Sequence, residues 1–400
     1  MKTGETRDII RKSAENLSAW VRGQHYTGWD IYDGLNSQVL RKIKNPYIQI
    51  LMLQANKYSP INFRPALKIE KGIDLKAMAL FAQAYASLHI STGEKGYLTE
   101  MQKAIGFISG KSLKKKYGFD CWASHYYPYA NTDRTSLSGE TPDIIGTRHA
   151  IFALCASYAI TGRAEEKQIA LSATEFLTKE LFCNDPALPF FRYSKSENED
   201  SHIILNASSQ AIDAIATTFK IEQNARLLAI CEEIARMLIT TQNANGSWDY
   251  SLNRDGSTRR VQQDFHQGNV LDGLVTFLPY SDQKPQLAAC IRKGAGYYQD
   301  VMFRTDGRSY FRYPLPYPTD VHNQAQGIIS FSKLHTLDSG YLKFAEKICL
   351  WTIARMQDRS GYFYYQKWPF VTNRIPYMRW SQGWMMLALA DLLEKFDGEA

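Results

Sequence analysis

The sequence predicts an all-α protein, an (α/α)6 toroid of six helical hairpins with short aromatic strands or loops at one rim. Two observations predict it. The first is an internal repeat. A polar or aromatic residue opens one type of helix at His149, Asn206, His266, His322 and Trp380, at spacings of 57, 60, 56 and 58 residues. The second is an alternation of helix types. The stretches after these markers are small and apolar: AIFALCASYAI, ASSQAIDAIATTF, QGNVLDGLVTFL, NQAQGIISFSKL and SQGWMMLALADLL. Small side chains let helices approach closely, which suits an inner ring. Segments 164–182, 222–243, 285–302 and 340–357 instead carry Lys, Arg and Glu along one side, which suits an outer ring.

Helical periodicity marks segments 7–22, 36–54, 73–91, 97–110, 144–161, 164–182, 204–219, 222–243, 267–279, 285–302, 322–336, 340–357 and 380–395. Six of them read as inner helices, beginning near 73, 144, 204, 266, 322 and 380. A period near 57 exceeds the roughly 20–50 residues of open solenoids, which leaves an open superhelix as the alternative. Residues 1–400 form one domain in this reading. Its first 70 residues hold N-terminal helices that close the ring onto the last inner helix, and 71–400 hold the repeated hairpins. An aromatic segment follows each outer helix, at 190–193, 247–250, 310–313 and 362–365. These segments predict the strands or extended loops of the rim.

Composition narrows the function. The chain is 44% hydrophobic and 22% charged, ordinary for a globular protein. Its 13% aromatic content suits either a ring-lined cleft or core filling. A net charge of +7 over 400 residues falls short of a nucleic-acid signature. The basic run KSLKKK at 111–116 reads as a solvated helix end or loop. Six cysteines include no CxxC pair and no metal spacing, so they read as small hydrophobes. There is no Rossmann unit, no P-loop and no DDxxD motif, and no cofactor is expected. No apolar signal region opens the chain, and no stretch is expected to span a membrane, which predicts a cytoplasmic protein.

In a toroid the loops before the inner helices converge on one mouth. The candidates there are Trp29, Asp30, Tyr32 and Asp33; Asp143, Arg148 and His149; Asn206; Asp264 and His266; Asp320, His322 and Asn323; and Tyr377, Arg379, Trp380 and Gln382. Asp-x-His occurs twice, at 264–266 and 320–322. Either aspartate could cap its helix, and capping is compatible with function. Three histidines opening three inner helices favour a shared polar cavity over separate core histidines. They sit around a wide ring without HExxH spacing, which argues against a metal. Arg379 could clamp a carboxylate or pair with a mouth aspartate. Trp29, Trp248, Trp368, Trp380 and the tyrosine pairs, Tyr364 among them, could stack on sugar faces.

The stretches WDIYDGLNS (29–37), DFHQGNVLDGL (264–274), YPTDVHNQAQGI (317–328) and GYFYYQ (361–366), together with RIPYMRWSQGWMMLALADLL (374–393), resemble a bacterial family. That family is found with surface-polysaccharide biosynthesis genes. Its members are often labelled delta-aminolevulinate dehydratase. The label does not fit this chain, which lacks the alternating strand–helix pattern and the Schiff-base lysine motif of that enzyme's β/α barrel. The resemblance implies a role in making or remodelling capsule, O-antigen or exopolysaccharide, and it assigns no catalytic residue. More remotely, the Arg379–Trp384 segment is similar to inner helices of six-hairpin glycosidases and uronyl C5-epimerases.

Three functions remain open at this level. An epimerase or lyase at a uronic-acid unit needs a base such as His266, His322 or a tyrosine, and a cation such as Arg379 or Arg148 for the enolate. A glycoside hydrolase needs two carboxyls, drawn from Asp33, Asp143, Asp264 and Asp320. A glycan-binding or scaffold protein needs only the aromatic rim. The expected partner is an oligo- or polysaccharide, with anionic and lipid-linked forms both fitting, and the oligomeric state is not readable.

Overall fold

The computed structural model describes residues 3–39, 42–43, 45–124, 129–131, 134–137, 140–195 and 202–398. Its helices are α1 (Thr3–Gly23), α2 (Pro46–Tyr58), α3 (Leu75–Thr92), α4 (Lys95–Gly110), a single turn α5 (Lys114–Tyr117), α6 (Ile144–Thr161) and α7 (Ala164–Phe176). They continue as α8 (Leu205–Thr218), α9 (Ala225–Thr240), α10 (His266–Phe277), α11 (Lys284–Met302), α12 (Val321–Leu334), α13 (Gly340–Met356) and α14 (Trp384–Gly398).

Helices α3, α6, α8, α10, α12 and α14 each pack on the next, and α14 packs back on α3. The ring is therefore closed, which excludes the open superhelix. Helices α4, α7, α9, α11 and α13 lie outside it, and α1 packs on α14 and α13. Small residues make the inner ring possible. A Cβ on Gly273 would come within 2.2 Å of the Ser209 carbonyl oxygen, so the α8–α10 contact requires glycine there.

One repeated bond ties each rim segment to its inner helix. Thr147, Ser208, Gln267, Gln324 and Gln382 accept a hydrogen bond from the backbone N–H of Trp122, Phe191, Trp248, Ser309 and Phe363, respectively. Buried N–H groups need such acceptors, and a side chain placed once per repeat supplies them. The rim also carries short antiparallel ladders. Ile203–Ile204 pairs with Ser251–Leu252, and Thr319–Asp320 pairs with Gln366–Lys367.

One expectation needs correction. The predicted helix 36–54 is a short 3-10 turn at Asp33–Asn36 followed by α2. Pro46 sets the start of α2, with the Asn45 side chain accepting from the N–H groups of Tyr47 and Ile48. Helix α6 is long and apolar enough to cross a membrane by composition, with a mean hydropathy of 1.3. In the fold it is an inner helix packed between α3 and α8.

Candidate active site

The inner-helix starts and rim loops enclose a cavity of about 390 Å³. Helix α2 contributes Gln54, Lys57 and Tyr58; α3 contributes Lys76; α8 contributes Asn206 and Gln210. The α10 side adds Asp264, Phe265, His266 and Asn269, and the α12 side adds Asp320, His322 and Asn323. Arg379, Trp380 and Trp384 complete it from the last inner helix and the π-turn before it. Further cations, Arg260 and Arg312, line the mouth.

Asp264 and His266 form a dyad. Asp264 Oδ1 lies 2.5 Å from His266 Nδ1 and also accepts from Gln262 Nε2 at 2.7 Å. Burial pushes the Asp264 carboxyl up, but the His266 ring and N–H outweigh it and hold it at about 2. The carboxylate thus fixes the proton on Nδ1, which leaves Nε2 as the basic nitrogen of the ring.

His322 is held differently. Its ring stacks on Phe265 at 4.1 Å, meets Trp384 at 4.5 Å with the planes tilted 30° apart, and meets Trp380 edge-on at 4.3 Å. Neither ring nitrogen has a hydrogen-bond partner, although the residue is only 2% exposed. Burial, then the nearby charges of Lys76 and Arg379, hold its pKa well below the usual histidine value. The ring is therefore neutral and presents one N–H and one lone pair. Leaving such groups unpaired costs about 1–3 kcal/mol each, a cost that a bound hydroxyl could relieve. The side-chain oxygens of Asn206 and Asn269, which also line the cavity, are unpartnered as well.

Arg379 lines the cavity in an ion pair. Its Nε and Nη2 donate to the two oxygens of Asp30, each at 2.7 Å. Asp74 Oδ2 stands 3.9 Å from the same Nε. Burial pushes Asp74 up to about 7, against the pull of Arg379. Asp30 is thus the anchor of the guanidinium and not itself a lining residue. Of the two sequence alternatives for Arg379, the ion pair with a mouth aspartate is the one formed.

Asp320 both caps and lines. Its Oδ1 accepts from the His322 N–H at 2.9 Å and from Trp380 Nε1 at 3.0 Å, while Oδ2 accepts from Gln366 Nε2 at 2.9 Å. Burial raises its pKa despite these donors. Tyr32 lines the wall, its hydroxyl accepting from Lys57 Nζ at 3.1 Å.

Lys76 went unnoticed at the sequence level. It lies on α3 with Nζ 4.8 Å from the centre of the Trp384 ring. Burial, then repulsion from Arg379 and Arg148, lowers its pKa to about 7. A signal existed. Asp74-Leu75-Lys76 is a third Asp-x-basic pattern at an inner-helix start, matching Asp264-Phe265-His266 and Asp320-Val321-His322.

Other predicted site residues fall outside the cavity lining. His149 sits one turn too deep, because the residue of α6 that lines the cavity is Ile145. His149 Nε2 lies 3.2 Å from Arg148 Nη1, and Arg148 is committed to a buried pair with Asp213 at 2.5 Å. Asp143 caps α6 and accepts from Gly146 and Ser124. Asp33 is locked to Arg64, which also donates to the Tyr377 hydroxyl at 2.8 Å. Trp248 is a core residue whose indole donates to the Leu238 carbonyl at 2.7 Å, as Trp122 does to Ile108 at 2.8 Å. The Trp29 indole donates to the Ile69 carbonyl. Tyr364 donates to Asp358, and Gln382 is one of the rim ties. Asn323 reaches the cavity, but its amide donates to the Tyr310 and Phe311 carbonyls. Among the described residues, no group of three or more His, Cys, Asp or Glu is placed to hold a metal ion.

This arrangement defines a six-hairpin toroid with a polar, aromatic cleft at its inner-helix starts. No protein-family model and no curated protein matches the chain. Solved structures do match its fold. Cellobiose 2-epimerase from Bacillus thermoamylovorans B4167 is similar at a TM-score of 0.64 and 13% identity, covering 82% of this chain and 88% of that one. A D-mannose isomerase is similar at 0.60 and 15% identity, covering 80% and 86%. The unsaturated glucuronyl hydrolase of Bacillus sp. GL1, responsible for glycosaminoglycan degradation, is similar at 0.59 and 12% identity, covering 78% and 84%. These likenesses establish the toroid and leave the β/α-barrel dehydratase label without support.

Proposed function

We propose that this chain is a carbohydrate-modifying enzyme that moves a proton at a carbon of a saccharide, with a uronic-acid unit as the reacting sugar. The observation that carries the reading is the Asp264–His266 dyad facing a cavity that also holds the neutral, unpartnered His322. An imidazole oriented by a carboxylate through Nδ1 is a base at Nε2. His322 supplies a second proton donor or acceptor in the same cavity. Proton removal next to a carboxylate builds negative charge on its oxygens. The lining offers Lys57, Arg260 and Arg312 against Asp264 and Asp320, beside Arg379, whose charge Asp30 already balances, and these cations suit that charge. Reprotonation of the carbanion on its opposite face completes an epimerisation, and departure of the C4 substituent as its protonated alcohol completes an elimination. The structural neighbours include a sugar epimerase, a sugar isomerase and a glucuronyl hydrolase, which supports a saccharide substrate. A polymer or a lipid-linked repeat unit of a surface glycan, handled in the cytoplasm, is the substrate context we propose.

One observation favours hydrolysis. Asp264 is held at about 2 while Asp320 is raised, and two carboxyls pushed apart in pKa are what acid-and-base glycosidases use. Asp320 however accepts three hydrogen bonds, so protonating it to serve as an acid would forfeit at least one of them. Incubation with uronate-containing oligosaccharides in heavy water, followed by NMR, separates the readings. Deuterium at C5 or an unsaturated product supports proton transfer. New reducing ends with neither deuterium nor unsaturation would replace it with hydrolysis.

A further inference from the structure

The most exposed large apolar side chains are unevenly placed. Among the described residues, all but Ile9 and Ile90 fall on segments 39–63, 261, 313–315 and 368–371. Each segment adjoins residues that line the cavity mouth: Tyr58 on α2, Arg260, Arg312 and Tyr365. Hydrogen bonds tie them together. Asn373 Nδ2 donates to the Ser59 carbonyl, and the Tyr313 N–H donates to the Gln263 carbonyl.

Two features stand out. The first turns of α2 expose Tyr47, Ile48 and Leu51, with Tyr47 81% and Leu51 66% exposed, while Gln54 and Tyr58 further along line the cavity. Beside it, the hairpin between Gln366–Lys367 and Thr372–Asn373 ends in Trp368-Pro369-Phe370-Val371. Phe370 at its tip is 98% exposed. A soluble surface has no use for such a tip unless something covers it.

Charge identifies the cover. Segments 34–69 and 359–390 are the two longest runs of the chain without aspartate or glutamate, and 307–319 is also free of them. They do contain exposed basic residues, among them Lys42, Lys68 and Arg374. Protruding Trp, Phe and Leu side chains among Lys and Arg, with Glu70 and Asp358 only at the edges of these segments, fit the boundary between anionic headgroups and acyl chains. A protein partner or a second copy would be better served by one flat patch than by tips spread around an opening.

We infer that the mouth rim is a membrane-docking surface, which seats the cavity opening on an anionic bilayer. Helix α2 lies along the headgroups and the Trp368–Val371 tip enters the acyl boundary. The inference does not depend on which reaction the cavity performs. If that reaction is on a lipid-linked saccharide, the rim brings the opening to the substrate's headgroup.

The test uses the full chain and sedimentation with phosphatidylcholine vesicles, with and without about one-third phosphatidylglycerol, and with no saccharide present. The wild type should bind the anionic vesicles, and added salt should weaken binding. Leu51→Ser with Phe370→Ser should reduce vesicle binding about tenfold or more, because both side chains are surface groups of the rim. Ile90→Ser, at the far end of α3, should bind as wild type does. Circular dichroism of each variant establishes that it is folded. Absence of binding to either vesicle would overturn the inference. So would anionic binding that the double variant retains, or self-association through these residues without vesicle binding. Since no turnover is measured, a failed activity assay and a failed docking assay remain separate results.

Discussion

The rings of Phe265 and His322 stack at 4.1 Å with their planes 26° apart, and Phe265 also stacks on His266 at 4.2 Å. One apolar ring therefore positions both candidate bases. Phe265→Ala should loosen both imidazoles at a stability cost of about 1–3 kcal/mol. The loss should appear mainly in kcat, with KM changing less, because the dyad's hydrogen bond survives. Steady-state kinetics alongside thermal unfolding checks this.

Asp264→Asn keeps the shape of the dyad but removes the carboxylate that fixes the Nδ1 proton. The expected effect is a fall in kcat of about 10²–10⁴-fold with little change in KM. A retained kcat would mean that His266 is not the base.

Gln382→Leu separates structure from chemistry. Gln382 Oε1 accepts from the Phe363 N–H at 2.8 Å, and leaving that buried donor unpaired should cost about 1–3 kcal/mol. Activity below the lowered melting temperature should stay near wild type. A selective loss of kcat would instead place Gln382 in the reaction.

The fold was legible because it rests on spacing. Small-residue helices recur at a near-constant period, and close packing of an inner ring needs small side chains wherever the chain returns to it. The site was only partly legible. His266, His322 and Trp380 were placed by the helix starts. His149 misled because a marker chosen for polarity lay one turn beyond the residue that reaches the cavity, and a helical turn is about 5.4 Å. Gln382 and Trp248 look functional in isolation. Gln267, Gln324 and Trp122 in other repeats give their structural role away. Lys76 was hidden by its residue type, since a lysine in a helix start reads as solvated until burial is known.

Lys76 makes a pH prediction. Its folded pKa is about 7, against a reference value of 10.5. Between those values the unfolded chain holds a proton that the folded chain has released. The Lys76 contribution to stability therefore rises with pH through this window. In Lys76→Met that contribution is gone, so the stability difference between wild type and variant should shift in favour of wild type from pH 7 upward. Denaturant melts of both proteins at several pH values check the slope, and parallel curves would contradict it.

The central claim is that His266 and His322 exchange a proton with the sugar. The most direct measurement is solvent deuterium incorporation into a uronate oligosaccharide by wild type, His266→Gln and His322→Gln, each shown to be folded. The account predicts deuterium at the reacting carbon for the wild type, and a loss of at least about 100-fold in its rate of appearance in either variant. Undiminished incorporation in both variants, or product formed by the wild type with neither deuterium nor unsaturation, would contradict it.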